Sequence, residues 1–402
     1  MDQKRSLFVS LALAIVGFGI VMVYSASITS WPTEFERIYL SRQLAALAVG
    51  VVLAAACASL SPAFWRTVAP ALLVVTIVLL AAVLLPGVGT RVNGARRWLR
   101  HGGFQFQPSE LAKLALTLYL CRQAARRKVE APRSQVPSAG ANRRSWVSAC
   151  RHWAVEFGPL LLPIAVTAGL VMAEPDLGTA MYLVICSAIA LFAAGCPMRF
   201  FLVAGALAAP AAGCLAVLRP YQMRRLTGFL AAWSDWSQVP YQLDQSIVSM
   251  GAGGWFGVGL GKGWQKLSFL PEANTDFVFS VVGEELGLVG TLSLLLLWAA
   301  LFWAGLEIVR SVRNDRFASS AAFALLTQTV LQAILNMAVV TALIPPKGIP
   351  LPLVSYGGSA LVMNLAAIGI ILSLSRSTQS AQTVRSPLRA RLGGHRLSSP
   401  AA

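Results

Sequence analysis

Charge is what this sequence has least of. Only 12% of its 402 residues are Asp, Glu, Lys or Arg, about half the share in a soluble globular domain. A water-soluble chain of this length would hold two or three domains and need far more charge to cover them. Acidic residues are scarcest, 16 against 33 Lys and Arg, leaving a net charge of +17. The three histidines, His101, His152 and His395, are scattered and make no metal-ligand pattern. The six cysteines, Cys57, Cys121, Cys150, Cys186, Cys196 and Cys214, include no CxxC pair and mostly lie in or beside apolar runs. That argues against both a disulfide framework and a zinc site.

What the chain has instead is apolar sequence: 56% hydrophobic residues and a mean hydropathy of +0.66. Windows of about 20 residues pick out about ten runs, near 7–25, 43–60, 67–85, 108–124, 157–173, 177–195, 199–218, 277–308, 318–344 and 353–375. The expected fold is all-α: a polytopic membrane bundle of about ten helices with a long outer loop between spans seven and eight. The first run follows Lys4 and Arg5 and lacks a convincing cleavage site, so it reads as a retained span. The eighth is too long for one perpendicular crossing and should tilt or begin above the membrane.

Basic residues fall mainly between and after these runs, which suits topology better than nucleic-acid binding. An even span count puts both termini on one side. Loop 122–151 carries Arg122, Arg126, Arg127, Lys128, Arg133, Arg143, Arg144 and Arg151, and the tail carries Arg376, Arg385, Arg389, Arg391 and Arg396. The positive-inside rule makes that side cytoplasmic. Residues 1–376 then form one integral membrane domain, and 377–402, rich in Ser, Arg and Pro, a basic tail expected to be disordered.

The outer loops break that rule. Arg91, Arg96, Arg97 and Arg100 lie in loop 86–107, and Arg219, Arg224, Arg225, Lys262 and Lys266 in loop 219–276. Positive charge there points to an anionic ligand at the outer surface. Trp233, Trp236, Trp255 and Trp264 suit interfacial segments that shape a cavity open to lipid. The run Gly257-Val-Gly259-Leu-Gly261-Lys262-Gly263 is not a phosphate loop, because its first glycine is misplaced and Gly263 stands where Ser or Thr would hold magnesium.

Asp276 ends the long loop and opens span eight, with Glu272, Glu284 and Glu285 nearby. An N-cap would explain Asp276 alone; several carboxylates at a membrane boundary call for pairing or function. Glu110 and Lys113 open span four, three residues apart on one helix face. They read equally well as a structural ion pair or as the wall of an outward cavity. Glu174-Pro-Asp-Leu-Gly-Thr179 makes a tight turn between spans five and six. Before span ten, the stretch from Pro345 through Lys347 to Ser359 is broken by prolines. Irregular backbone at membrane depth needs burial or an aqueous cavity, so this segment should line something.

These motifs resemble the SEDS family (shape, elongation, division and sporulation proteins) over about residues 7–376. The matching stretches are Asn93-Gly-Ala-Arg96-Arg97-Trp98, Gln107-Pro-Ser-Glu110, Glu174-Pro-Asp-Leu-Gly-Thr179, Tyr241-Gln-x-x-Gln245-Ser246, Pro271-Glu-x-x-Thr-Asp276-Phe and Lys347-Gly-x-x-Leu-Pro-x-x-Ser355-Tyr-Gly-Gly-Ser359. Val281-Val-Gly283-Glu-Glu-Leu-Gly287 is similar to the division-type pattern, to which the sporulation type is close; elongation-type members often have Ala at Gly283. Asn274 stands where many members have His, and Ala342 where many have Gly.

The resemblance implies a peptidoglycan glycosyltransferase that polymerises lipid II into β-1,4-linked glycan at the outer face of the cytoplasmic membrane, during septal wall synthesis. It assigns the essential acid to Asp276 and cavity-lining roles to Glu110 and Lys113. It implies a class B penicillin-binding protein as the transpeptidase partner, beside other division-complex membrane proteins. Asp276 would act as general base. Arg91, Arg97, Lys113, Arg224 and Lys347 are candidate cations for the departing diphosphate, with Ser355 a further candidate contact to substrate. No cofactor is implied with certainty; a divalent cation could assist, although no metal-ligand cluster is evident. The alternatives are a lipid II flippase, an elongation- or sporulation-type polymerase, and a scaffold without enzymatic activity.

Overall fold

The computed structural model describes residues 3–27, 35–92, 95–101, 104–126, 143–218, 227–230, 235, 239–267 and 269–376. A helix occupies every predicted span: α1 (Gln3–Ala26), α2 (Phe35–Ser59), α3 (Pro62–Leu84), α4 (Pro108–Arg126), α5 (Arg143–Ala173), α6 (Leu177–Ala193), α7 (Met198–Leu218), α9 (Val278–Ser311), α10 (Arg316–Val340) and α11 (Gly358–Leu374). A shorter helix, α8 (Tyr241–Gly253), lies in the long loop. Among the described residues, five helices are long and apolar enough to cross a membrane, and α6, α11 and residues 157–173 are shorter apolar helices. The architecture is that of a polytopic integral membrane bundle. The tail 377–402, loop residues 127–142 and Arg224 lie outside the described residues.

Loop 86–107 proves to be more than a loop. It forms an antiparallel sheet, β1 (Gly89–Val92), β2 (Ala95–His101) and β3 (Phe104–Phe106), in the order β1-β2-β3. Its strands are three to seven residues long, and four arginines mask the apolar alternation that would have announced them.

Two apolar cores meet at α4. Leu114, Leu118 and Cys121 pack with α1, α9, α10 and α11. Ala112, Leu116, Leu120 and Ala124 pack with α3, α5 and α6. Nearly every residue of α4 from Pro108 to Leu118 is therefore buried, polar ones included. On the other side, α2 and α11 approach closely: a Cβ on Gly369 would stand 2.3 Å from the Ala54 carbonyl oxygen. Such glycine contacts are how membrane helices come together without a hydrophobic force between them.

With 34 residues, α9 rises about 50 Å, well beyond the ~30 Å hydrocarbon thickness. It kinks at Gly287, where φ is +65°. The glycine-rich run clamps this kink. The amides of Val258 and Gly259 donate to the carbonyls of Glu284 and Glu285, both at 3.0 Å, and those of Leu288 and Val289 donate back to Gly254 and Trp255. A Cβ on Gly257 would collide with the Glu285 backbone at 2.1 Å, so these glycines serve close backbone approach.

Candidate functional site

The acids flagged around span eight separate into different roles. Glu285 and Lys266 form an ion pair of 2.6 Å with both side chains wholly buried, and the Ser25 hydroxyl also donates to Glu285. Glu284 accepts from the amides of Trp264 and Gln265 at 2.6 and 3.1 Å and from the Ser249 hydroxyl. Both carboxylates tie the outer loop to α9. Glu272 is exposed and accepts from the Thr275 hydroxyl. None of these bonds touches the Asp276 side chain.

The polar cleft lies around α4 instead. Pro108 starts the helix, where a missing N–H costs nothing, and Glu110 and Lys113 follow on one face. Their side chains pair at 2.6 Å, each about 6% exposed. The Lys113 ammonium also donates to Gln332 Oε1 at 2.8 Å and sits 5.5 Å from the Tyr182 ring centroid. It is thus held by a carboxylate, an amide and a ring. Gln107, Glu110 and Lys113 form one wall of the cleft, Thr179 and Tyr182 of α6 a second, Gln332 of α10 the floor, and residues 348–350 the rim. The cavity measures about 30 Å³, room for a water or two and far too little for a disaccharide, so a sugar substrate could enter only with the cleft widened.

Asp276 stands at that rim. It is half-buried in the turn before α9, and its Oδ2 lies 3.1 Å from where a Cβ on Gly348 would be. Its backbone carbonyl accepts from Asn336 Nδ2 at 2.7 Å, and the same amide donates to the Ile349 carbonyl at 2.9 Å. Nearby, the Tyr356 amide donates to the Asn274 carbonyl at 2.9 Å. The acid-bearing turn and the proline-broken segment 341–357 are therefore stitched together at two points.

Lys347 belongs to that segment. Its side chain is half-buried, and burial holds its pKa below the usual lysine value. Among the described residues its ammonium has neither an ion pair nor a hydrogen bond. Its Cβ lies 3.7 Å from where a side chain on Gly178 would start, in the first turn of α6. Among the described residues, this uncommitted cation directly precedes Gly348, the residue beside the Asp276 carboxylate.

The other predicted contacts fall elsewhere. Arg97 holds the turn before α6, donating to the carbonyls of Glu174 at 3.2 Å and Pro175 at 2.5 Å, with Asp176 3.5 Å away. Asp176 itself caps α6 by accepting from the Thr179 amide at 3.0 Å. Glu174 beneath is wholly buried, and among the described residues neither carboxylate oxygen has a hydrogen-bond partner. Burial, then the Asp176 charge, push its pKa up to about 8 against the pull of Arg97. Arg91 is exposed on β1 and does not line the cleft. Ser355 is buried, its hydroxyl accepting from the Leu351 amide at 2.9 Å, so it closes a loop turn and does not face the cleft. Among the described residues no group of three or more His, Cys, Asp or Glu gathers as a metal site would require.

Sequence reading missed the amides of α10. Gln328, Gln332 and Asn336 recur every four residues, all buried. Gln328 accepts from the Thr117 hydroxyl at 2.9 Å. Gln332 accepts from Lys113 and donates to the Pro350 carbonyl at 3.0 Å. Three carboxamides at helical spacing in an apolar helix were the available signal.

A membrane helix bundle with a buried polar cleft beside an acid-bearing turn is the class this fold and site define. The family model for the cell cycle proteins FtsW, RodA and SpoVE matches residues 5–380, and the chain belongs to that family. Relatives named "Probable peptidoglycan glycosyltransferase FtsW" include those of Thioalkalivibrio sulfidiphilus, 40% identical over 96% of this chain and 93% of the relative, and Trichlorobacter lovleyi, 38% identical over 92% and 93%. A chain from a solved peptidoglycan synthase complex, described as coordinating polymerization and crosslinking, superimposes with a TM-score of 0.71 at 29% identity, covering 92% of this chain and 97% of that one. The rod shape determining protein RodA of Thermus thermophilus gives 0.62 at 29% identity, over 92% and 96%.

Proposed function

We propose that this chain is a division-type peptidoglycan glycosyltransferase, joining lipid II units into β-1,4-linked glycan at the outer face of the cytoplasmic membrane. The observation that carries the reading is Asp276 Oδ2 beside Gly348, a lining residue of the Glu110–Lys113 cleft, with half-buried Lys347 next in the chain and uncommitted among the described residues. The names of the relatives at 38–40% identity support the reaction class and the division type.

In this reading Asp276 accepts the proton of the acceptor sugar's 4-hydroxyl as that oxygen attacks the donor's anomeric carbon. The bond from that carbon to the lipid diphosphate breaks on the opposite face, so an α-linked donor becomes a β-linked product. The diphosphate leaves with the electron pair, and Lys347 offers it a charge that is already partly desolvated and strengthened by burial. Lys113, already paired, shapes the cleft and joins the anion only as the cleft widens. Gly348, with no side chain, leaves room for the sugar beside Asp276. Arg91 and Arg224 remain proposals as long-range attractors of the anionic substrate.

Both termini face the cytoplasm in this reading, and the chain works at the septum beside other division-complex proteins. A class B penicillin-binding protein supplies the crosslinking. The solved synthase complex, which joins polymerization to crosslinking, supports that pairing.

The test is gel analysis of labelled lipid II products from the purified chain with its partner, wild type against Asp276→Asn. The variant should insert and melt normally yet lose roughly 10²- to 10⁴-fold in polymerisation, the usual weight of a general base. Full activity in the variant would remove Asp276 from the chemistry. Lipid II movement in proteoliposomes with no glycan product would favour the flippase.

A further inference from the structure

The backbone that carries Asp276 is a turn and not part of a helix. Residues 271–277 form successive turns before α9 begins at Val278. Segment 341–357, which carries Lys347, is likewise irregular and starts with Ala342 at φ +56°. Neither can fix the distance between acid and ammonium by its own hydrogen bonds.

We propose that Asn336 is the positioning residue for this site, and that its amide sets the spacing of acid and cation. Its side chain is 1% exposed on α10. The two hydrogens of Nδ2 go to two carbonyls on two separate segments: Asp276 O at 2.7 Å and Ile349 O at 2.9 Å. An amide nitrogen is planar with both donors at fixed angles, so one rigid group dictates the separation. No hydroxyl could do this, having one donor, and no carboxylate, having none.

One turn earlier, Gln332 repeats the device. It donates to the neighbouring carbonyl, Pro350 O, at 3.0 Å and accepts from Lys113 at 2.8 Å. Residues four apart share a helix face, so α10 presents two amides that fasten consecutive carbonyls of the Lys347 segment. Gln332 fixes the segment against the cleft wall, and Asn336 fixes the acid against the segment. The inference rests on the reading of Asp276 as the reacting acid.

The experiment uses the full chain with its transpeptidase partner in nanodiscs and labelled lipid II. Asn336→Leu keeps the shape and removes both donors; Asn336→Asp keeps the shape and replaces the donors with acceptors facing two carbonyls. Thr117→Val breaks the Thr117–Gln328 bond of the same polar row, away from the acid, and controls for lost stability. Both Asn336 variants should lower kcat tenfold to a hundredfold, the scale of a displacement near 1 Å. Their KM should stay within about threefold, and the acidic limb of the pH–rate profile should move, because that limb reports the base. Thr117→Val should lower the melting temperature and leave both kcat and the profile unchanged. Wild-type kcat in Asn336→Leu overturns the proposal, as does loss that merely tracks the folded fraction. If Asp276→Asn is fully active, the reading of the site fails first; if it is dead while Asn336→Leu is active, only the positioning role fails.

Discussion

Lys113→Met puts the electrostatics of the cleft to a quantitative test. Methionine fills the volume of the lysine stem, so little packing is lost, but Glu110 is left about 5% exposed with its charge uncompensated. Three favourable terms disappear together: the 2.6 Å pair, the 2.8 Å bond to Gln332 and the contact with the Tyr182 ring. Removing one partner of a buried pair costs about 3–5 kcal/mol, because the remaining ion must stay desolvated or take up a proton. The second variant is Glu110→Gln with Lys113→Met, which removes both charges and keeps an amide that can be satisfied. Replacing a buried pair by neutral groups is often close to neutral in stability, so most of the loss should return. Thermal unfolding in nanodiscs reads the first quantity and glycan polymerisation the second. If the pair serves only the bundle, the double variant recovers both melting temperature and turnover. If the ammonium also meets the diphosphate when the cleft widens, stability returns and kcat stays at least tenfold down. A single variant that melts like the wild type would refute the burial argument itself.

Two further outcomes follow from local structure. Burial pushes the Glu174 pKa up to about 8, from an ordinary glutamate value of 4.5. A folded pKa raised above the unfolded one means that the folded state binds the extra proton between those values. Stability is therefore intact below about pH 4.5 and falls as the pH rises toward 8, by at most about 5 kcal/mol over that window. Glu174→Gln should flatten this alkaline loss in melting curves taken from pH 5 to 9, and identical slopes for the two proteins would show that the carboxyl is ionised throughout. Ala342, at φ +56°, pays the left-handed penalty of about 1–2 kcal/mol. Ala342→Gly should gain roughly 0.5–1 kcal/mol after its greater unfolded-state entropy, seen as a higher melting temperature with unchanged turnover; a lower one would argue against the strain.

The helices were legible because apolar runs near 20 residues long have few other uses. Even α4, the least apolar, was found, although its place between two cores was not. Hydropathy cannot show that Leu114 and Leu116 face different sides of the protein. The sheet escaped because its strands are short and arginine-rich. Resemblance singled out Asp276, Glu110 and Lys113, but the grouping of acids around span eight was a sequence artefact. Glu284 and Glu285 lie within ten residues of Asp276, yet they bind the outer loop to α9, while Asp276 looks toward a segment some seventy residues later.

That separation has a physical cause worth pressing. A buried carboxylate must be satisfied from groups near it in space, and nearness in sequence supplies at most the neighbours on one helix face. Glu110 met that condition with Lys113 and was readable. Glu284 is satisfied by backbone amides of Trp264 and Gln265, which any residue type provides and no pattern announces. Asn336 likewise acts on carbonyl groups, of Asp276 and Ile349. A site whose geometry is set by side chains gripping backbone is therefore nearly silent in a sequence. The one audible trace is on the gripping side, where Gln332 and Asn336, four residues apart in an apolar helix, bury amides that hold backbone carbonyls.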